Sequence, residues 1–176
     1  MNIFLIGFMG SGKSTIGKLL ACELNSTFED IDQTIEKQYN KTIGEIFATE
    51  GEEKFREIEH NIIRSGFVND SGSVVSVGGG LPCFHENMAL MNSKGITVYL
   101  KMSPEAIFTR ITALPEKARA TRPLIANKTD AELKQYITDT LNKRESFYNK
   151  AKLVISNEVS DASICVARIL KAISYL

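Results

Sequence analysis

The sequence predicts an α/β protein, a three-layer sandwich with a parallel sheet between two layers of helices. Three observations carry that prediction. Short unbroken apolar runs alternate with segments of helical spacing along the whole chain. Strands buried on both faces read this way, and parallel strands need helical crossovers between them. The first apolar run passes through glycines directly into a helix, which is how a βα unit begins. No internal repeat or low-complexity tract breaks the alternation. At 176 residues the chain is expected to form one domain. A chain of this size should bury roughly 70% of its unfolded surface, enough for a core without staples.

Residues 2–6 (NIFLI) form the first strand, ended by Gly7. Ile16, Leu19, Leu20 and Leu24 then follow helical spacing, so a helix starts near Lys13. Residues 27–29 form a short second strand. Residues 33–39, 43–48 and 52–65 are helical, the last with Phe55, Ile58 and Ile62 on one face. Residues 73–77 (SVVSV) form a third strand running into Gly78, Gly79 and Gly80, and residues 97–100 (TVYL) a fourth. Helices follow at 105–112 and 130–148, a fifth strand at 153–156, and a closing amphipathic helix at 162–174. Right-handed crossovers bring the carboxyl ends of such strands to one edge, where α/β proteins bind ligands. Residues 113–127 (ALPEKARATRPLIAN) are the one long irregular stretch. Loops of that length in compact domains are usually functional lids.

Composition excludes several classes. Lys plus Arg and Asp plus Glu each number 21, so the formal net charge is zero. A general nucleic-acid or membrane-surface binder would show a basic excess. No apolar run approaches the ~20 residues of a membrane span. Residues 1–9 are apolar but lack the basic start and small-residue cleavage site of a signal peptide. Cys22, Cys83 and Cys165 are far apart, form no CxxC and keep no metal-ligand spacing with His60 or His85. They read as reduced thiols of a cytoplasmic protein.

The sharpest motif is Gly7 to Ser14 (GFMGSGKS), which fits GxxxxGK[ST] between a strand and a helix. Glycines let backbone N–H groups turn toward an anion, and the helix N-terminus adds a favourable dipole. Lys13 can reach the β- and γ-phosphates, and the Ser14 hydroxyl can ligate Mg²⁺. The motif therefore indicates a nucleoside triphosphate. The third strand ends in glycines rather than in an Asp for Mg²⁺, which weakens a motor, GTPase or transporter reading.

A second site is expected beside it. Asp30 and Asp32 follow the second strand; two apart on an extended segment, they point the same way. One can help hold Mg²⁺ and the other can accept a hydroxyl proton. The alternative is an N-capping box formed by Asp30 and Gln33. The triple glycine lets a backbone come close to a ligand, or is simply a flexible turn. Ile137, Leu141, Arg144 and Tyr148 put Arg144 on the apolar face of its helix, where a guanidinium needs an anion. Arg56 either joins Arg144 in clamping a carboxylate or pairs with Glu59 three residues on. Arg122, in the lid stretch, is placed to act as an arginine finger or is a solvated charge. Cys83 reads as a packed thiol and His60 as a surface or satisfied helix residue.

These segments together resemble the shikimate kinase family over essentially the full length. The matching parts are GFMGSGKST, the DID at Asp30 to Asp32, IFATEGEEKFREIE, SVGGG, TRPLI and KRESFY. The resemblance implies a five-stranded parallel sheet in the order 2-3-1-4-5, and transfer of the ATP γ-phosphoryl group to the 3-hydroxyl of shikimate. It implies that Gly10, Ser11, Gly12, Lys13, Ser14 and Thr15 bind phosphates, with Arg110 against the adenine and Arg122 descending with the lid. Ser14, helped by Asp30 through water, holds Mg²⁺. Asp32 binds the acceptor's hydroxyls and acts as base. Arg56 and Arg144 grip the carboxylate, Glu59 orients Arg56, Gly79 and Gly80 offer backbone contacts, and Phe47 and Phe55 line the pocket. Residues 33–65 are then the acceptor-binding helical region. ATP and shikimate are the implied partners of a cytoplasmic monomer. The rival readings are a gluconate or nucleoside monophosphate kinase of the same fold, and a non-catalytic nucleotide-binding protein.

Overall fold

The computed structural model describes residues 1–66, 72–115, 119, 124–158 and 161–176. Five strands, β1 (Asn2–Ile6), β2 (Thr27–Asp30), β3 (Ser73–Ser76), β4 (Gly95–Lys101) and β5 (Leu153–Ser156), form one parallel sheet in the order β2-β3-β1-β4-β5. Phe4 lies between Val75 and Thr97, Asp30 opposite Ser76, and Lys101 opposite Ser156. That register aligns the carboxyl ends of all five strands, so Gly7, Asp30 and Gly78 emerge at one edge.

The period-two alternation of the strands divides the core. Phe4, Ile6, Val75 and Tyr99 point to one face. There they meet helices α2 (Ile31–Tyr39), α3 (Ile43–Ser65), α4 (Asn87–Lys94), α5 (Pro104–Thr112) and α6 (Asp130–Tyr148). Ile3, Leu5, Val74, Val98 and Leu100 point to the other, against α1 (Lys13–Glu23) and α7 (Ala162–Ile173). The expected three layers and strand order are both present.

Local chemistry sets the helix starts. Thr42 and Thr129 head capping boxes with Glu45 and Glu132. Ser103 caps α5 with Pro104 behind it, and Asp161 caps α7. The two helices expected at 43–48 and 52–65 are one element kinked at Gly51 (φ 81°, ψ 170°). Helix α4 had no counterpart in the sequence reading. Its signal is weak: Met88 and Met91 are buried, but its start is Glu86 in the left-handed region rather than a capping side chain. A buried side chain holds it instead, Asn87 donating Nδ2–H to the Leu81 carbonyl at 2.9 Å. His60 Nδ1 lies 2.8 Å from Asn87 Oδ1, so His60 is a satisfied helix residue.

Gly95 is required by close approach alone. A Cβ on Gly95 would lie 2.2 Å from the Asn2 carbonyl oxygen, because β4 begins directly against β1. Gly95→Ala should therefore cost about 1–3 kcal/mol by overpacking. A urea midpoint unchanged from the parent would refute this.

Candidate active site

The phosphate loop stands where β1 meets α1. Gly10 and Gly12 hold positive φ (81° and 88°), which L side chains resist. Gly12 is the N-cap of α1, with no side chain capping the helix. The N-terminal N–H groups of α1 thus lack a side-chain acceptor, the arrangement that binds anions. Lys13 reaches back along its own loop, donating from Nζ to the carbonyls of Gly7 (2.8 Å) and Phe8 (2.9 Å). Ser11 is fully buried, and Thr15 lies exposed in the first turn of α1.

A brace from β5 went unread in the sequence. Asn157, buried just past that strand, donates Nδ2–H to the Ser11 carbonyl at 2.7 Å. Arg110 in turn donates to the Asn157 carbonyl at 3.0 Å. A Cβ on Gly12 would lie 3.5 Å from both Arg110 Nη1 and Asn157 Nδ2. Arg110 therefore flanks the phosphate loop. Asn157 carries no motif; only the alignment of β5 with the loop reveals it.

Asp30 serves two partners. Its Oδ1 accepts from the Asp32 N–H at 3.2 Å, and its Oδ2 accepts from the Ser14 hydroxyl at 2.8 Å. The sequence reading placed Asp30 and Asp32 on one extended segment. Instead β2 ends at Asp30, which caps α2, and Asp32 occupies the first helical turn. The helix cap and the partner of Ser14 are thus the same residue, one oxygen for each contact. A hydroxyl and a carboxylate at a phosphate loop suit Mg²⁺, which takes few protein oxygens and completes its shell with phosphates and water.

The acceptor side is built around the triple glycine after β3. None of these glycines has positive φ; each is needed because a functional group lies against it. A Cβ on Gly78 would fall 2.7 Å from Glu59 Oε1 and 3.2 Å from Asp32 Oδ1. One on Gly79 would fall 3.3 Å from Arg144 Nη1 and 3.3 Å from the Gly7 carbonyl, and one on Gly80 2.7–2.9 Å from the Arg56 guanidinium. The segment is also tied down. Leu81 and Cys83 donate N–H to the Gly78 and Gly80 carbonyls, and the Tyr148 hydroxyl donates to the Gly79 carbonyl at 2.5 Å. The triple glycine is a fitted floor, with Asp32, Arg56, Glu59 and Arg144 converging on it.

The two arginines differ. Arg56 pairs with Glu59 at 2.6 Å and Glu52 at 2.9 Å, so the helix pair expected with Glu59 exists within the cluster. Its guanidinium lies 5.3 Å from the Phe55 ring centroid, 5.8 Å from Phe47 and 4.6 Å from Phe84. Phe47 and Phe55 pack at 4.5 Å, forming one wall. Phe84 was missed, since nothing marks it in sequence. Arg144 is half-buried with its guanidinium 5.9 Å from the Phe8 ring. None of the ion pairs among the described residues includes it. Arg122 lies outside the described residues, as do residues 116–118, 120, 121 and 123 of the 113–127 stretch.

Burial raises the Asp32 carboxyl to about 6; nearby Asp30 adds to the rise while Lys13 and Arg56 oppose it. Glu59 is pushed up to about 7, again chiefly by burial, with Arg56 opposing. Its Oε1 is buried and has no hydrogen-bond partner among the described residues. Burial likewise raises the Cys83 thiol, in keeping with a packed residue. The folded state holds the Glu59 proton more tightly than the unfolded chain does. Stability from this group is thus complete below about pH 4.5 and is lost as pH rises through about 7. Relative to Glu59→Gln, the unliganded parent should lose roughly 1–3 kcal/mol across that window. Parallel pH profiles of the two urea midpoints would contradict this.

A phosphate loop with Ser14 and Asp30 beside it, facing a floor where two arginines and two carboxylates converge, defines a P-loop small-molecule kinase. The family model described as "SKI: Shikimate kinase" matches residues 9–174. A shikimate kinase of Azobacteroides pseudotrichonymphae is 49% identical over 153 residues, 87% of this chain and 88% of that protein. The crystal structure of shikimate kinase from Bacteroides thetaiotaomicron superposes with a TM-score of 0.91 at 37% identity, covering 99% of this chain and 98% of that one. Shikimate kinase from Acinetobacter baumannii in complex with shikimate gives 0.88 at 31% identity, covering 99% and 93%. The chain belongs to the shikimate kinase family.

Proposed function

We propose that this chain transfers the γ-phosphoryl group of ATP to the 3-hydroxyl of shikimate, giving shikimate 3-phosphate and ADP. The observation that carries it is the placing of Arg144, Arg56 and Asp32 around Gly78–Gly80, directly against the phosphate loop at Gly7. A carboxylate held by the arginines leaves the acceptor's hydroxyls facing Asp32.

In this reading the N–H groups of residues 10–15 and the Lys13 ammonium bind the phosphates, Lys13 exchanging its loop carbonyls for phosphate oxygens. Ser14, with Asp30 behind it, would hold Mg²⁺, which neutralises charge on the β- and γ-phosphates. Arg110 lies on the nucleotide side, and Arg122 arrives with residues 113–127 acting as the lid. Phe47 and Phe55 wall the pocket, and Glu59 holds Arg56 in place. Asp32 accepts the proton of the acceptor hydroxyl as that oxygen bonds to Pγ, and the Pγ–O bond to ADP breaks. Most of the rate comes from positioning and charge neutralisation. The same reading makes residues 33–65 the acceptor-binding region of a single-domain cytoplasmic monomer without nucleic-acid or membrane partners. Among the described residues, no helix is long and apolar enough to cross a membrane.

A coupled ADP-release assay with Mg-ATP tests it, run against shikimate, quinate, gluconate, AMP and CMP with a no-acceptor control. Turnover confined largely to shikimate is expected. Preferential turnover of gluconate or a nucleotide would overturn the acceptor assignments but not the phosphate loop. ATP binding without turnover on any acceptor would restore the non-catalytic reading.

A further inference from the structure

We propose that Glu52 is an internal counter-ion for the acceptor site: it occupies the open edge of Arg56 in the unliganded protein and must leave when the acceptor's carboxylate binds. The proposal rests on the reading above that Arg56 takes that carboxylate.

The guanidinium has little freedom to serve two anions at once. Its Nη1 is held by Glu59 at 2.6 Å, and Glu59 is only 1% exposed. Its plane lies against Gly80, with the Phe84 ring 4.6 Å away. The remaining edge, Nε and Nη2, is taken by a single oxygen of Glu52 at 3.3 and 2.9 Å. Side-on contact along this edge is the geometry in which a carboxylate pairs bidentately with arginine. Arg56 has 9% of its side chain exposed and Glu59 1%, but Glu52 has 59%. Only Glu52 can return to water without stranding a buried charge.

Charge balance points the same way. With Glu59 ionised, Arg56 and both carboxylates together carry one net negative charge, which repels an anionic acceptor. With Glu52 swung away, Arg56 and Glu59 are neutral together. Arg144 then supplies the one positive charge that a monocarboxylate complements. Glu52 also has room to move: it is the first residue after the Gly51 kink, and a Cβ on Gly51 would meet nothing within 4 Å.

Glu52 therefore lowers acceptor affinity while keeping Arg56 paired in the empty site. Titration calorimetry of shikimate onto the whole protein and onto Glu52→Gln and Glu52→Ala tests this. Both variants should bind shikimate about 3- to 10-fold more tightly, more than an exposed ion pair alone returns, because mutual repulsion also ends. KM for shikimate should fall in step, with kcat moving less than about two-fold. An analogue bearing CH₂OH in place of the carboxylate should bind parent and variants equally, which a general loosening of the pocket would not produce. Equal or weaker shikimate binding by both variants, with the parent binding normally, overturns the proposal alone. An equal gain for the alcohol overturns it too. Failure of the parent itself to bind shikimate overturns the acceptor reading, and this proposal with it.

Discussion

Asp32→Asn should lower kcat by about 10²-fold or more, with a much smaller change in acceptor KM. The amide keeps the shape of the carboxylate and can still meet a hydroxyl, but it cannot take its proton. The geometry makes Asp32 the best-placed base. It stands in the first turn of α2, faces the Gly78 floor and neighbours Lys13. Burial brings its carboxyl to about 6, close enough to neutrality for a proton acceptor that is still ionised at pH 7. Glu59, the other buried carboxylate on that floor, already holds Arg56 through one oxygen. Steady-state kinetics under saturating Mg-ATP give the answer. A kcat near the parent's would confine Asp32 to binding the acceptor's hydroxyls.

Arg144→Ala should act mainly on binding, raising KM for shikimate roughly 10- to 150-fold, the equivalent of about 1.5–3 kcal/mol. Arg56 keeps partners of its own when the site is empty, but Arg144 joins no ion pair among the described residues. Half-buried, with its guanidinium against Gly79 and near the Phe8 ring, it is a cation presented to the pocket. A charge held that way gains most when an anion arrives. Arg144→Lys should recover only part of the loss, because an ammonium keeps the charge without the planar fork. An unaltered KM in Arg144→Ala would make Arg144 structural, a support for neighbouring Tyr148.

Much of the site was legible because its chemistry depends on residue type at short spacing. GxxxxGK[ST] between a strand and a helix admits few other meanings; in the structure Lys13 bonds carbonyls of its own loop and Ser14 bonds Asp30. Arg144 was legible from one helix face, since Ile137, Leu141 and Tyr148 are indeed buried around it. The glycines were legible as a contact surface but not in detail. That each answers to a different side chain, Glu59, Arg144 or Arg56, follows from two helices, α3 and α6, meeting at one edge. Asn157 and Phe84 were not legible at all: each acts on a residue remote in sequence, and no local pattern marks such a partner. Glu52 lies one helical turn before Arg56, a spacing that offers a pair, but the sequence does not show that it is the exposed one of two carboxylates there.

By itself, then, the sequence determined every strand and all the helices but α4, the alternation that buries both faces of the sheet, the anion-binding loop and the charged groups available to an acceptor. Those follow from periodicity, backbone permissiveness and side-chain chemistry, which act within a few residues. The tertiary structure alone decided which of those groups meet. It divided the oxygens of Asp30 between a helix cap and Ser14. It braced the phosphate loop from β5, and around Arg56 it buried Glu59 while leaving Glu52 exposed. Strand register and helix packing set distances between residues far apart in the chain. Ion pairing and burial depend on those distances, and local sequence does not encode them.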